Sequence, residues 1–403
     1  MREPGGADDA VGIALVGTGY VADYYAATLP LHPQLRLIGV HDADPERVDR
    51  FARFHGVHAF RGLDELLDDP RVEVVVNLTN PASHHDVTLR ALEASRHVYS
   101  EKPLAMDFPS ARSLVERAEA KGLLLSCAPC SLLGETAQTV WCAVREGAVG
   151  PVRLVYAEMD EGMVFRMRHH RWRSASGTPW PSADEFRVGT TIEHAAYVVS
   201  WLPAMFGSAT AVHGFSATVF PDKGLPEPVT SPDLAVACVT FESGVIARLT
   251  CSLIAPHDHS LRIVGDGGVL TVGDTWYYTA PVRARRWFDI RGRHIEMPVR
   301  QRIPLVAKGA RYRYRGTQQM DFARGVADLA DALRSGRQPR LSARYSLHVN
   351  EIVLAVSDQL QGGGSYTMTT TAGPIEPMPW ATRRTKRGLM RPLWRALGDG
   401  RRG

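Results

Sequence analysis

Gly17-Thr18-Gly19-Tyr20-Val21-Ala22 and, 84 residues after Gly17, Glu101-Lys102-Pro103 are the residues of this chain whose types and spacing best fit them for chemistry. In the first motif, Gly17 permits a tight bend, Gly19 lets backbone N–H groups approach a pyrophosphate, and Ala22 keeps helix and strand close. The helix that starts here adds a partial positive charge for phosphates. Gly17, Thr18, Gly19, Tyr20 and Val21 are therefore expected to hold a dinucleotide. The second motif can put an ammonium beside it. Taking a hydride from an alcohol requires that the hydroxyl proton be accepted or relayed within hydrogen-bond reach. A lysine next to an oxidised nicotinamide has its pKa lowered by the neighbouring positive charge, so Lys102 is expected to relay a proton or orient the oxygen near neutral pH.

These residues need rigid elements behind them. Val11–Val16 is a short apolar run, as in a buried parallel strand, and the segment after Gly19 turns helical. A second strand, Leu35–Val40, ends at His41-Asp42. Asp42 stands 25 residues beyond Gly17, about where an acid reads a ribose 2′-hydroxyl, which favours NAD with NADP as the alternative. The competing reading of Asp42 is an ordinary strand-end turn residue. A helix closed by Gly56, a strand at Val57–Phe60 and a helix over Leu63–Leu67 follow. The buried strand Val72–Leu78 breaks at Thr79-Asn80-Pro81, a helix spans His84–Ala94, and the strand His97–Ser100 delivers Glu101-Lys102-Pro103 to the same rim as the glycine turn. Alternating strands and helices predict a doubly wound parallel sheet, a Rossmann domain, over residues 11–130.

From Val152 the texture changes to longer strands joined by tight turns: Arg153–Met159, Ala209–Phe220, Leu234–Phe241, Val245–Ile254, Leu261–Val264 and Val269–Val272. Glu242-Ser243-Gly244 and Gly265-Asp266-Gly267-Gly268 read as hairpin turns. The expectation is an α+β domain over 131–375 with a mostly antiparallel open sheet. Helices at about 190–203, 317–335 and 343–360 cover it or return to the first domain. Residues 1–10 form a flexible start and 376–403 a basic tail.

Composition fits an enzyme of the cytoplasm. A chain of 403 residues, 44% hydrophobic, can bury two cores. It has neither a run of about 20 apolar residues nor the apolar core of a signal peptide in MREPGGADDA. Five cysteines, at 127, 130, 142, 238 and 251, do not form a disulfide framework. The net charge of +4 is local: residues 382–403 carry +7, leaving −3 on the body. That tail is either a solvated end or a contact for an acidic partner or membrane surface, with Leu389, Met390, Leu393, Trp394 and Leu397 at helical spacing. No nucleic-acid partner is expected.

The glycine turn, the Thr-Asn-Pro step with His84 after it, Glu-Lys-Pro on the next strand end and an antiparallel second domain together resemble the Gfo/Idh/MocA oxidoreductases over residues 11–360. The resemblance implies NAD(P) on the first domain, substrate in the cleft, and a homodimer or homotetramer through the open sheet. It also implies hydride transfer with a secondary alcohol or ketone of a sugar, cyclitol or nucleotide-sugar. By the same resemblance Thr79, Asn80 and His84 line the nicotinamide side and Lys102 reaches substrate and cofactor, while Glu101 pairs with Lys102 or binds a ribose.

The family's Asp-x-Gly-x-His is here Thr190-Thr191-Ile192-Glu193-His194, so His194 is kept as proton donor or acceptor and the acid is lost. Glu193 either replaces that acid or closes a capping box with Thr190. Tyr197 shares the helix face of His194 and can contact substrate or simply pack. The family's basic grip after Glu-Lys-Pro is replaced by Cys127-Ala128-Pro129-Cys130-Ser131, which does not read as a redox or zinc pair. Arg166, Arg168, Arg171 and Arg173, with Trp172 and Trp180, suggest a loop that grips an anionic substrate through Arg171 and Trp180, or else a solvated loop. His257-Asp258-His259 lacks a third ligand in sequence, so no metal is expected. Two other functions compete with hydride transfer: NAD-dependent glycoside cleavage through transient oxidation, and a non-catalytic dinucleotide sensor.

Overall fold

The computed structural model describes residues 10–306, 319–358, 360 and 364–382. The first sheet is built from β1 (Val11–Val16), β2 (Leu35–His41), β3 (Val74–Asn77), β4 (His97–Ser100) and β5 (Leu125–Cys127). Its order is β2-β1-β3-β4-β5, all parallel. β1 and β3 are buried throughout, which is why they read as unbroken apolar runs. Chain order reverses at β1, whose neighbours are β2 and β3, so the crevice at the carboxyl end of β1 opens where Gly17 stands.

Local chemistry sets the flanking helices. Asp44 caps the helix Pro45–His55 by accepting from the N–H groups of Glu46 (3.0 Å) and Arg47 (3.2 Å). Gly56 ends it in the left-handed region at φ 68°, as its sequence position predicts. The expected strand at Val57–Phe60 is only a bridge of Ala59 to Val40, because the chain leaves the sheet edge at once for the helix Leu63–Asp68.

The second sheet has ten strands: β6 (Val152–Asp160), β7 (Ala209–Ala217), β8 (Leu234–Phe241), β9 (Ile246–Ser252), β10 (Leu261–Gly265), β11 (Gly268–Val272), β12 (Val282–Ile290), β13 (Arg293–Glu296), β14 (Gln301–Ile303) and β15 (Gly364–Thr367). All pairs are antiparallel except β6 with β9. β8 alternates: Ala235, Ala237, Val239 and Phe241 are buried, while Val236 and Cys238 are exposed. β12 to β15 were not foreseen.

The helix expected over 190–203 is three short ones: Thr190–His194, Ala196–Val199 and Leu202–Phe206. Pro203 is the physical reason for the last break, since proline is accommodated in the first turn of a helix and not in its interior. The helix Ala343–Val356 ties the sheets together. Asn350 accepts from the Leu104 N–H (3.0 Å), Ser346 from the Cys127 N–H (3.1 Å), and His348 from the Ala209 N–H (2.9 Å). The basic tail with Leu389 to Leu397 lies outside the described residues.

Candidate functional site

A cleft of about 1660 Å³ runs from the glycine turn on the first sheet to Trp276 on the second. Gly17 has φ 98°, and a Cβ there would lie 2.5 Å from the Leu78 carbonyl oxygen, so both turn and packing demand glycine. Gly19 differs: a Cβ there would meet nothing within 4 Å. The protein itself does not need Gly19 to be bare, whereas a phosphate brought against the backbone N–H groups would. Tyr20, Val21, Asp42, Thr79 and Asn80 border the same cleft, and these residues fit a dinucleotide. Thr18 is buried and donates from its N–H (2.7 Å) and hydroxyl (3.0 Å) to Asp42 Oδ2, while Asp42 Oδ1 accepts from the Asp44 N–H (2.9 Å). One carboxylate thus sets the turn and faces the cleft.

The Lys102–Pro103 peptide is cis. Glu101 is buried; its Oε1 accepts from Tyr25 Oη (2.7 Å) and its Oε2 from the Lys102 N–H (3.0 Å). The Lys102 ammonium goes instead to the buried Glu193, with which it forms a largely buried ion pair across the cleft. Burial disfavours the ammonium, but Glu193, Tyr197, Glu185 and Glu101 outweigh it and hold Lys102 well above the ordinary lysine range. The protein's own groups thus push Lys102 in the opposite direction to the lowering that an adjacent oxidised nicotinamide is expected to cause. The capping box does not form: no side chain caps Thr190–His194, and Glu193 faces Lys102.

His194 borders the cleft. Its Nδ1 lies 3.2 Å from the Thr190 carbonyl oxygen, which can only accept, and 3.5 Å from the Thr190 hydroxyl; the shorter contact favours the tautomer with the proton on Nδ1 and Nε2 as the acceptor. Nε2 is 3.9 Å from Glu161 Oε1. Burial depresses the His194 pKa, with Glu161 opposing. The acid missing at Thr190 has a spatial substitute in Glu161, which sequence could not reveal because it stands just past the end of β6, far from His194 in the chain. His84 also borders the cleft, but it is buried with Nδ1 2.7 Å from the Pro103 carbonyl and Nε2 3.0 Å from that of Thr79. Burial lowers its pKa, and a neutral imidazole has one N–H, so it donates to one of these two carbonyls while its other nitrogen faces the second. Asn77, also missed, holds the start of that helix through Nδ2 to the His84 carbonyl (3.0 Å).

Tyr197 is buried and stacks on Trp276 at 4.2 Å and 19°. Trp180 borders the cleft within an aromatic group that includes Trp172 (5.1 Å) and Phe186 (5.7 Å). Arg171 is exposed and does not border the cleft. Arg173 does, but its Nη1 donates to the carbonyls of His170 (2.8 Å) and Trp172 (2.9 Å), and Arg166 lies over Phe220 at 5.2 Å. Arg173 is engaged by its own loop and Arg171 stands outside the cleft, so the structure does not bring Arg171 to the place expected of a guanidinium grip. That loop instead crosses to the first sheet's helices. Ser176 donates from its N–H (3.2 Å) and hydroxyl (2.8 Å) to Asp23 Oδ2, and Arg50 Nη2 donates to Thr178 Oγ1 (3.3 Å).

Glu185 is a functional candidate that sequence missed. It borders the cleft, and its Oε2 has no hydrogen-bond partner among the described residues. Burial, then Glu193, push its pKa up to about 8 against the pull of Lys102, so near neutrality it is a carboxylic acid able to donate. A folded pKa above the unfolded value means that the folded state keeps a proton the unfolded chain has lost. Stability is then present below about pH 4.5 and declines as pH rises towards 8. Glu185→Gln should remove that decline, melting several degrees above wild type at pH 8.5, on the order of 2 kcal/mol, and close to it at pH 5. Parallel melting profiles of the two proteins would contradict the raised pKa.

A parallel sheet with a glycine turn at its switch point, beside a lysine–carboxylate pair and a histidine from the helix Thr190–His194, fits a dinucleotide-binding oxidoreductase. The family model described as oxidoreductase family, NAD-binding Rossmann fold, GFO_IDH_MocA, matches residues 11–128, and the GFO/IDH/MocA C-terminal domain model matches 137–271. The chain belongs to the Gfo/Idh/MocA oxidoreductase family and is an NAD(P)-dependent enzyme. It is 24% identical over 258 residues to the trans-1,2-dihydrobenzene-1,2-diol dehydrogenase of Oryctolagus cuniculus, covering 63% of this chain and 73% of that one. The aldose-aldose oxidoreductase of Caulobacter crescentus, solved with glycerol, superposes with a TM-score of 0.71 at 19% identity, covering 89% and 100%. A Bordetella pertussis dehydrogenase solved with NADH and UDP-GlcNAcA gives 0.66 at 17%, covering 90% and 99%. Among the described residues no helix is long and apolar enough to cross a membrane.

Proposed function

We propose that this enzyme moves a hydride between NAD and a secondary alcohol or ketone of a polyhydroxylated substrate, a sugar, cyclitol or nucleotide-sugar. The observation that carries the reading is that Lys102, His194 and the glycine turn face one cleft. The related proteins named for diol and aldose oxidation support the substrate class. Bound at Gly17 to Val21, NAD(P) would supply hydride acceptance or donation. Lys102, kept charged by Glu193, donates a hydrogen bond to the substrate oxygen and steadies charge that builds there. His194 Nε2 takes the hydroxyl proton in the oxidative direction and returns it in the reductive one. Glu185, protonated, donates to a second hydroxyl. The sensor reading was motivated by the acid missing at Thr190 and by the basic tail; Glu161, Glu185 and Glu193 bordering the cleft answer the first motive, and the tail lies outside the described residues. Phe215, Val236 and Ile246, exposed on the second sheet, support assembly of a dimer or tetramer through that face.

NAD is preferred because Asp42, at the end of β2, can accept from a ribose hydroxyl and repels a 2′-phosphate. Arg47, 3.7 Å from Asp42, is the cation that would favour the phosphate instead. Fluorescence titration should give NADH binding at least about ten-fold tighter than NADPH, and Asp42→Ser should narrow that gap. Equal affinities in the wild type would reverse the preference. A screen of polyols and nucleotide-sugars at the nicotinamide absorbance band tests the reaction, and failure to bind either nucleotide overturns it.

A further inference from the structure

We propose that Glu161, His257 and His259 form a binding site for a borderline divalent metal ion, zinc by preference, on the second-sheet wall of the cleft. The local backbone explains why these three residues meet. Asp160 and Asp258 pair as an antiparallel bridge, each N–H donating to the other's carbonyl at 2.9 Å. Side chains alternate across such a pair, so the residues flanking it, Glu161 on one segment and His257 and His259 on the other, share the opposite face. All three border the cleft, and one ligand atom from each lies within 4.8 Å of the others.

The arrangement is half assembled for a metal. His259 Nε2 and Glu161 Oε1 are 3.0 Å apart, close to the separation of two ligands that each sit about 2 Å from one ion. His257, whose side chain is 55% exposed, has room to swing in and complete the set. His259 Nδ1 is buried without a hydrogen-bond partner among the described residues and lies 3.7 Å from Asp274 Oδ1, so a small approach would make the carboxylate–histidine bond that orients a metal ligand through its far nitrogen. Trp276 stacks on the His259 ring at 5.2 Å and 18°, and the Thr275 N–H donates to the His259 carbonyl (2.9 Å). The imidazole that matters most is therefore already fixed. Two imidazoles and one carboxylate suit zinc and its first-row neighbours better than magnesium or calcium, which prefer all-oxygen shells. Three protein ligands leave a position open to the cleft for water or a substrate oxygen. The site goes beyond the hydride-transfer reading and does not depend on it.

The test uses the full chain, stripped with a chelator and titrated with zinc by calorimetry and with cobalt by visible absorbance. One equivalent should bind, with the d–d band of a low-coordinate cobalt ion and quenching of Trp276 fluorescence by cobalt that Trp276→Phe abolishes. His257→Ala, at an exposed side chain, and Glu161→Gln should each weaken zinc binding by at least about ten-fold. Melting temperatures of both variants within a few degrees of wild type establish that they fold. Absence of stoichiometric binding in the wild type, or unchanged affinity in His257→Ala, would overturn the site.

Discussion

Lys102→Met should lower turnover by about a thousand-fold while NADH binding persists, and it should also destabilise the fold. Both effects have one origin. The Lys102 ammonium is the cation that the buried Glu193 faces, and removing one partner of a buried pair leaves an uncompensated charge. Such losses cost about 3–5 kcal/mol until the remaining group takes up a proton. The double variant Lys102→Met with Glu193→Gln separates structure from chemistry, because it deletes both charges. Its melting temperature should return towards that of wild type, since replacing a whole buried pair is close to neutral. Its turnover should not return, because no ammonium is left to hold the substrate oxygen. A double variant that regains activity would reduce Lys102 to a structural role. So would a single variant within three-fold of wild-type kcat.

Charge at this site follows from the company that Lys102 keeps. Sequence places it beside a nicotinamide and so predicts a lowered pKa. The fold surrounds it with Glu193, Glu185, Glu101 and the Tyr197 hydroxyl, and these protein groups push the other way and raise it. In the proposed function Lys102 is the fixed cation and proton movement falls to His194, whose Nδ1 lies 3.2 Å from the Thr190 carbonyl. Division of labour between a permanent donor and a titrating base needs the carboxylate that the sequence pattern had lost. Two acids supply it from different elements, Glu161 just beyond β6 and Glu193 from the helix Thr190–His194, while Glu185 from the helix Ser182–Val188 adds a protonated acid.

That division also explains what could be read from sequence. Residues that serve a local turn announce themselves: Gly17 through its strand and helix neighbours, Gly56 as a helix end, Lys102 at a strand end. β8 was legible residue for residue because it alternates cleanly, whereas β12 hides a similar alternation, Val282 and Ala284 inward, beneath Arg283, Arg285 and Arg286. Contacts between distant segments leave no spacing to count. Glu161 meets His259 across 98 residues, and Glu193 meets Lys102 across 91, so their roles come from the fold alone. The arginine cluster misled because composition reports charge and not its partners.

Gly17 and Gly19 look alike in sequence, yet substitution should affect them in opposite ways. Gly17→Ala forces a side chain into φ 98° and puts its Cβ 2.5 Å from the Leu78 carbonyl oxygen, a backbone atom that cannot turn aside. Strain of this kind costs about 1–3 kcal/mol before the clash is counted, so the variant should melt well below wild type and bind little of anything. Gly19→Ala meets nothing within 4 Å, and the protein alone should hardly register it. Its methyl group would instead occupy the space that a pyrophosphate needs to reach the backbone N–H groups at the helix start. NADH affinity should fall by at least about ten-fold with the melting temperature unchanged, and both are measured on one preparation. Wild-type NADH affinity in Gly19→Ala would mean that the pyrophosphate does not approach the turn there, and the whole placement of the dinucleotide would have to move. Loss of binding without loss of stability would identify Gly19 as a residue kept for the ligand and Gly17 as one kept for the fold.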